Sequence, residues 1–116
     1  MLDWHINFEA EIVIKMKNLQ GKNVLILGLG VSGLAMARWC VRLGANVTVI
    51  DSRANPPNIE VVKNELSTVH VLNGDFSPEL LTEGNIQLLL VSPGIKPIDF
   101  AEIFKVARST DVTVSG

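Results

Sequence analysis

Gly28-Leu29-Gly30-Val31-Ser32-Gly33 sets three glycines at G-x-G-x-x-G spacing, and an acid, Asp51, follows roughly twenty residues later. In such a loop Gly28 permits a tight turn, Gly30 lets a ligand approach the backbone, and Gly33 lets a helix pack closely on a sheet. Placed between a strand and a helix, the loop would turn the amides of Val31 and Ser32 outward at the positive helix end, an anion site suited to a diphosphate. Asp51 offers acceptors to ribose hydroxyls or to the imide N–H of uracil, and equally to the amide of Arg53 as an ordinary turn aspartate. Ser52 and Arg53 extend this polar stretch, with Arg53 readable either as part of a site or as a solvated surface charge. In a third segment, Val91-Ser92-Pro93-Gly94-Ile95, proline fixes one backbone angle and Gly94 leaves the approach to a ligand open.

The elements that must position these residues follow from apolar patterning. Asn23 to Leu27 is a short, mostly apolar run ending at glycines, as expected for a central parallel strand buried on both faces. Val31 to Leu43 carries Leu34, Ala37 and Val41 on one helical stripe and Arg38 and Arg42 on another, with Gly44 as its left-handed stop. Asn46 to Ile50 reads as a second strand closed by Asp51, and Pro56-Pro57 precede a short helix at Ile59 to Leu66. Thr68 to Leu72 and Ile86 to Val91 read as strands on either side of a helical turn begun by Ser77-Pro78-Glu79. Ile98 to Ala107, with Ile98, Ala101 and Phe104 or Lys105 at helical spacing, reads as a helix before a fifth strand from Val112 to Val114. Alternating strands and helices require right-handed crossovers and a mainly parallel, doubly wound α/β sheet of Rossmann-like type in a single domain. Ligands bind such sheets beyond the carboxyl ends of the strands, where all three loops fall.

Composition narrows the function classes. Ten basic against twelve acidic residues leave a net charge of -2, without the positive excess that nucleic-acid binding needs. The single cysteine, Cys40, cannot form an intrachain disulfide, and His5 and His70 are too far apart in sequence to suggest a metal cluster, so both Cys40 and His70 read as structural. No apolar run approaches the ~20 residues of a membrane span, and the start lacks the order of a secretory signal. A soluble, cytoplasmic protein with no membrane partner is the expectation. There is no G-x-x-x-x-G-K-[ST] loop, so no ATP phosphate site, no metal and no catalytic residue is assigned to this chain. Residues 1–15 read as an extension or alternative start, because Met16-Lys17-Asn18-Leu19-Gln20-Gly21-Lys22 resembles an ordinary beginning that leads into the first strand.

Taken in order, Gly21-Lys22-Asn23-Val24, Gly28 to Gly33, Asp51-Ser52-Arg53 with Pro56-Pro57, and Ser92-Pro93-Gly94-Ile95 resemble the N-terminal domain of the D-glutamate-adding Mur ligases, from about Lys17 to Gly116. The resemblance implies that residues 16–116 bind the UDP moiety of UDP-N-acetylmuramoyl-L-alanine in peptidoglycan synthesis. It implies that the amides of Val31 and Ser32 meet the diphosphate, that Asp51 and Ser52 hold the uracil, that Arg53 flanks it and that Gly94 lines the pocket. It also implies a longer parent enzyme whose central and C-terminal domains, absent from this chain, bind ATP with magnesium and D-glutamate and form the amide through an acyl phosphate. The chain alone is expected to be inactive and to need no cofactor. Two other readings stay open on the same residues. One is an NAD-binding domain of a dehydrogenase or sensor, with Asp51 on the adenosine ribose or, for NADP, Arg53 on a 2′-phosphate. The other is a non-catalytic interaction module.

Overall fold

A computed structural model describes residues 19–115, so the expected extension at 1–15 lies outside the described residues, and among the described residues nine regular elements alternate. Strand β1 (Asn23–Leu27) is followed by helix α1 (Val31–Arg42), β2 (Asn46–Asp51), α2 (Ile59–Glu65) and β3 (His70–Asn73). Helix α3 (Glu79–Glu83), β4 (Leu88–Val91), α4 (Pro97–Arg108) and β5 (Thr113–Ser115) complete the order. The five strands form one sheet in the order β3-β2-β1-β4-β5. All four pairings are parallel, in register from Asn23 opposite Asn46 to Leu27 opposite Ile50, and from Val24 opposite Leu88 to Leu27 opposite Val91.

β1 can be apolar throughout because both of its faces are covered. Val24 and Ile26 pack with Leu34, Ala37 and Cys40 of α1 and Val62 of α2. Leu25 and Leu27 pack on the other face with Phe76, Leu81 of α3, and Ile103 and Ala107 of α4. Gly44 closes α1 with φ +84°, while the N–H groups of Gly44 and Ala45 bond the carbonyls of Val41 and Cys40, both at 3.0 Å. This is the paired closure that satisfies a helix end when glycine takes the left-handed conformation. The Arg38 guanidinium reaches Glu65 of α2 at 2.9 Å, and that of Arg42 lies 5.9 Å from the centroid of the Trp39 ring.

Several strand boundaries differ from the sequence expectation. The strand expected from Thr68 starts at His70, because the Val69 N–H is spent in a turn to the Leu66 carbonyl, and it runs on through Asn73, which pairs with Asp51. The strand expected from Ile86 starts at Leu88, since the Ile86 N–H bonds the Leu81 carbonyl at the end of α3. β5 begins at Thr113 rather than Val112.

Helix α4 corrects a face. Of the residues expected at helical spacing, Ile98, Ala101 and Lys105 are exposed, Ile98 at 82%, while the alternative Phe104 is partly covered, and the buried stripe is Ile103 and Ala107 with Phe100 and Val106 packed beside it. Both stripes have helical spacing, but the second carries the aromatic volume that fills the space under β4. Ile103→Ala should therefore cost about 2–5 kcal/mol, whereas Ile98→Ala should stay within about 0.5 kcal/mol of the parent. Urea denaturation of the two variants measures the contrast, and equal losses would restore the original face.

Candidate functional site

The strand order reverses between β1 and β4, so the loops leaving these two neighbours diverge and open a crevice beyond their carboxyl ends. A cleft of about 300 Å³ lies there, lined by Gly28, Gly30, Asp51, Ser52, Arg53, Phe76, Ser92, Gly94, Ile95, Lys96 and Asp99. The three loops singled out from the sequence thus meet in one place.

The glycines differ in what they permit. Gly28 has φ +94°, and a Cβ there would lie 2.9 Å from Cδ1 of Ile95 and 3.1 Å from Cβ of Ser92. A Cβ on Gly33 would lie 1.9 Å from the Gly28 carbonyl oxygen, so this glycine is required for the helix to leave the strand as closely as it does. Gly30 and Gly94 have no atom within 4 Å of an added Cβ and leave the cleft open instead. The first bond within α1 runs from the Leu34 N–H to the Gly30 carbonyl at 2.9 Å, leaving the N–H groups of Val31, Ser32 and Gly33 for other acceptors. α1 has no side-chain cap and no acid in its first turn, and Val31 and Ser32 are exposed. The helix end is an open cluster of donors with a positive partial charge.

Asp51 is 2% exposed and its carboxylate is saturated. Oδ2 accepts the Leu29 N–H at 2.8 Å and Nη2 of Arg53 at 2.6 Å, while Oδ1 accepts the Arg53 N–H and Nε, both at 2.9 Å. These four bonds fill the acceptor sites of an ionised carboxylate. Asp51 makes the turn bond to its neighbour's amide, and the Arg53 side chain is held at the cleft while still 54% exposed. The Arg53 guanidinium is the largest cause that pushes the Asp51 carboxyl down to about 2 from its usual 3.8; burial opposes it, and the two backbone N–H bonds reinforce it.

Sequence reasoning missed Phe76, Lys96, Asp99 and Asn73. The amide of Asn73, at the end of β3, donates to the Asp51 carbonyl at 3.0 Å and to the Arg53 carbonyl, fixing the backbone on the far side of the same turn. Phe76, Lys96 and Asp99 follow the ends of β3 and β4, and position beyond a strand end was the signal available for them. Cys40 is buried in the core with its thiol pushed up to about 11 by burial, and His70 is exposed on β3 away from the cleft. Among the described residues no three His, Cys, Asp or Glu side chains group as a metal site, and no helix is long and apolar enough to cross a membrane.

Residues 22–116 match the family described as Mur ligase MurD-like, N-terminal domain. The chain is 42% identical over 101 residues, 87% of its length, to a UDP-N-acetylmuramoylalanine–D-glutamate ligase of Albidiferax ferrireducens, of which it covers 20%. It is 44% identical over 101 residues to the protein of that name from a Polaromonas species, covering 87% of this chain and 17% of that one. The chain therefore spans about a fifth of the length of these relatives. Among solved structures it is similar to SirC, a precorrin-2 dehydrogenase, with a TM-score of 0.61 and 19% identity over 85% of this chain and 46% of that one. The shikimate dehydrogenase of Aquifex aeolicus gives a TM-score of 0.60 and 17% identity over 94% of this chain and 47% of that one. At such identities these likenesses show a shared Rossmann-like fold alone.

Two variants test this geometry. Gly33→Ala should destabilise by about 1–3 kcal/mol or more, because the added carbon meets backbone rather than a movable side chain; an unchanged melting temperature would refute the packing. A carboxyl whose pKa is depressed on folding stabilises the protein above its unfolded value and loses that contribution as pH falls through the folded one. Parent protein should thus exceed Asp51→Asn by about 2 kcal/mol near neutral pH, with the gap closing between about pH 5 and pH 2. A gap that urea titrations find independent of pH would count against the ion pair.

Proposed function

This chain belongs to the MurD-like Mur ligase family as its N-terminal domain, and on that premise we propose that it binds the UDP moiety of UDP-N-acetylmuramoyl-L-alanine for a parent D-glutamate-adding ligase of peptidoglycan synthesis. The observation that carries this reading is the uncapped N-terminus of α1 opening onto a cleft at the reversal of strand order. A diphosphate placed across Gly30, Val31, Ser32 and Gly33 would meet several N–H donors and the positive helix end, with no side chain on Gly30 to obstruct it. Gly28 shapes the turn beneath. Ser52, Gly94 and the Asp51–Arg53 pair then border the uridine end.

The cleft volume of about 300 Å³ is at the lower limit of pockets that enclose a small molecule, roughly 300–1,000 Å³. It suits one end of a long nucleotide sugar, leaving the reacting alanine carboxylate outside this domain. In the parent, ATP with magnesium would activate that carboxylate for attack by D-glutamate, and the residues of this chain would bind and orient rather than react. The absence of a Walker-type loop from the sequence supports assigning ATP to the rest of the parent. The parent would act in the cytoplasm, where its nucleotide substrates are.

Calorimetric titration of the full chain with UDP-N-acetylmuramoyl-L-alanine, UDP, NAD and NADP tests the reading. Binding of the two uridine nucleotides with little response to NAD or NADP is the expected order, and preference for a dinucleotide would transfer the chain to the dehydrogenase-like class. The chain alone should form no amide from ATP, D-glutamate and the nucleotide substrate.

A further inference from the structure

Asn58 stands just before α2 in the left-handed conformation, φ 66° and ψ 9°, where glycine is sterically the least costly residue. An asparagine ahead of a helix ordinarily turns its side-chain oxygen onto the first free amides of that helix. Asn58 does not. Its carbonyl accepts the Val62 N–H at 3.1 Å, but its side chain makes no bond to α2. The amide instead crosses to the glycine loop, where Nδ2 donates to the Leu29 carbonyl at 3.4 Å.

That carbonyl belongs to the peptide joining Leu29 to Gly30. A trans peptide points its N–H opposite to its C=O, so holding the Leu29 oxygen toward Asn58 turns the Gly30 N–H the other way. Among the described residues the Gly30 N–H bonds no backbone carbonyl, and Gly30 lines the cleft. The peptide before it is fixed separately, because the Leu29 N–H donates to Oδ2 of Asp51 at 2.8 Å, and the Leu29 side chain is fully buried. The weak point is Gly30 itself, whose backbone freedom would let the Leu29–Gly30 peptide rotate if its carbonyl were not held. We infer that Asn58 is a positioning residue for anion binding: by holding the Leu29 carbonyl it keeps the Gly30 N–H aimed, beside the open amides of Val31 and Ser32, at the diphosphate of the ligand. The ligand touches Gly30 and not Asn58. A loop set in this way before binding does not have to be ordered by the ligand, which raises affinity without any added contact.

This inference rests on the nucleotide-binding reading above, and the experiment separates the two. Asn58→Gly and Asn58→Ala both remove the amide but differ in backbone cost, since glycine is at ease at this φ and alanine is strained. Melting temperatures of the full chain should therefore part the variants, with Asn58→Gly near the unaltered protein and Asn58→Ala below it. Calorimetric titration with UDP and with inorganic pyrophosphate should not part them: both should bind each ligand more weakly by the same factor, roughly three- to tenfold. Affinity that followed stability, with Asn58→Gly binding as the unaltered chain does, would overturn the inference and leave Asn58 as a tie between α2 and the glycine loop. If Asn58→Ala fails to fold, Asn58→Gly carries the comparison. In nuclear magnetic resonance spectra of the unaltered chain the Gly30 amide should shift on addition of pyrophosphate, and in Asn58→Gly at saturating pyrophosphate that shift should shrink. A Gly30 amide that stays unmoved while those of Val31 and Ser32 respond would also overturn the inference, leaving the nucleotide reading in place. If the unaltered chain binds neither UDP nor pyrophosphate, the nucleotide reading itself fails and the role of Asn58 fails with it.

Discussion

A single buried carboxylate joins the loops that line the cleft of this domain. Asp51 ends β2, the Leu29 amide it accepts belongs to the glycine loop after β1, and the Arg53 groups it accepts lead away toward α2. A charge with 2% exposure survives only when its lone pairs are filled. Filling them requires both loops to hold one arrangement, so the desolvation cost of one carboxylate becomes a constraint on the shape of the cleft. Asn73 repeats the device with an uncharged amide, tying the end of β3 to the carbonyls of Asp51 and Arg53.

The sheet decides where such groups can stand. Because α1 and α2 cover one face and α3 and α4 the other, β1 and β4 are buried along their lengths and have no room for ligand-binding side chains. Polar chemistry is displaced to the strand ends. There the packing demand continues into the first loop, where Gly33 must lie against the Gly28 carbonyl for α1 to leave β1 so sharply. Where the demand relaxes, at Gly30 and Gly94, the space belongs to solvent or ligand. One motif thus holds glycines of opposite kinds, some present for packing and one for access.

The fold and most of the cleft were legible in the sequence because they rest on local signals: apolar runs ending in glycine, a G-x-G-x-x-G loop, Asp51 at a strand end and Ser92-Pro93-Gly94 at another. Strand starts were less legible. Whether Val69 or Ile86 joins a ladder depends on which carbonyl takes its N–H, and here the preceding turn and α3 take them. The buried face of α4 was hidden for a similar reason, since two stripes share helical spacing and only the volume available under β4 selects Ile103 and Ala107.

From the residues alone came the alternation of elements and the parallel sheet, set by periodicity, backbone freedom and short-range order, and the family resemblance, carried by the motifs in their order. Tertiary structure decided the partners. Asp51 and Leu29 are distant in sequence, as are Arg53 and Asn73, and Phe76 comes from a loop that carries no motif. Whether Asp51 faces a ligand or an arginine is a question of which donors reach a buried carboxylate first, and that depends on the crossing of strands that the chain pairs only when folded.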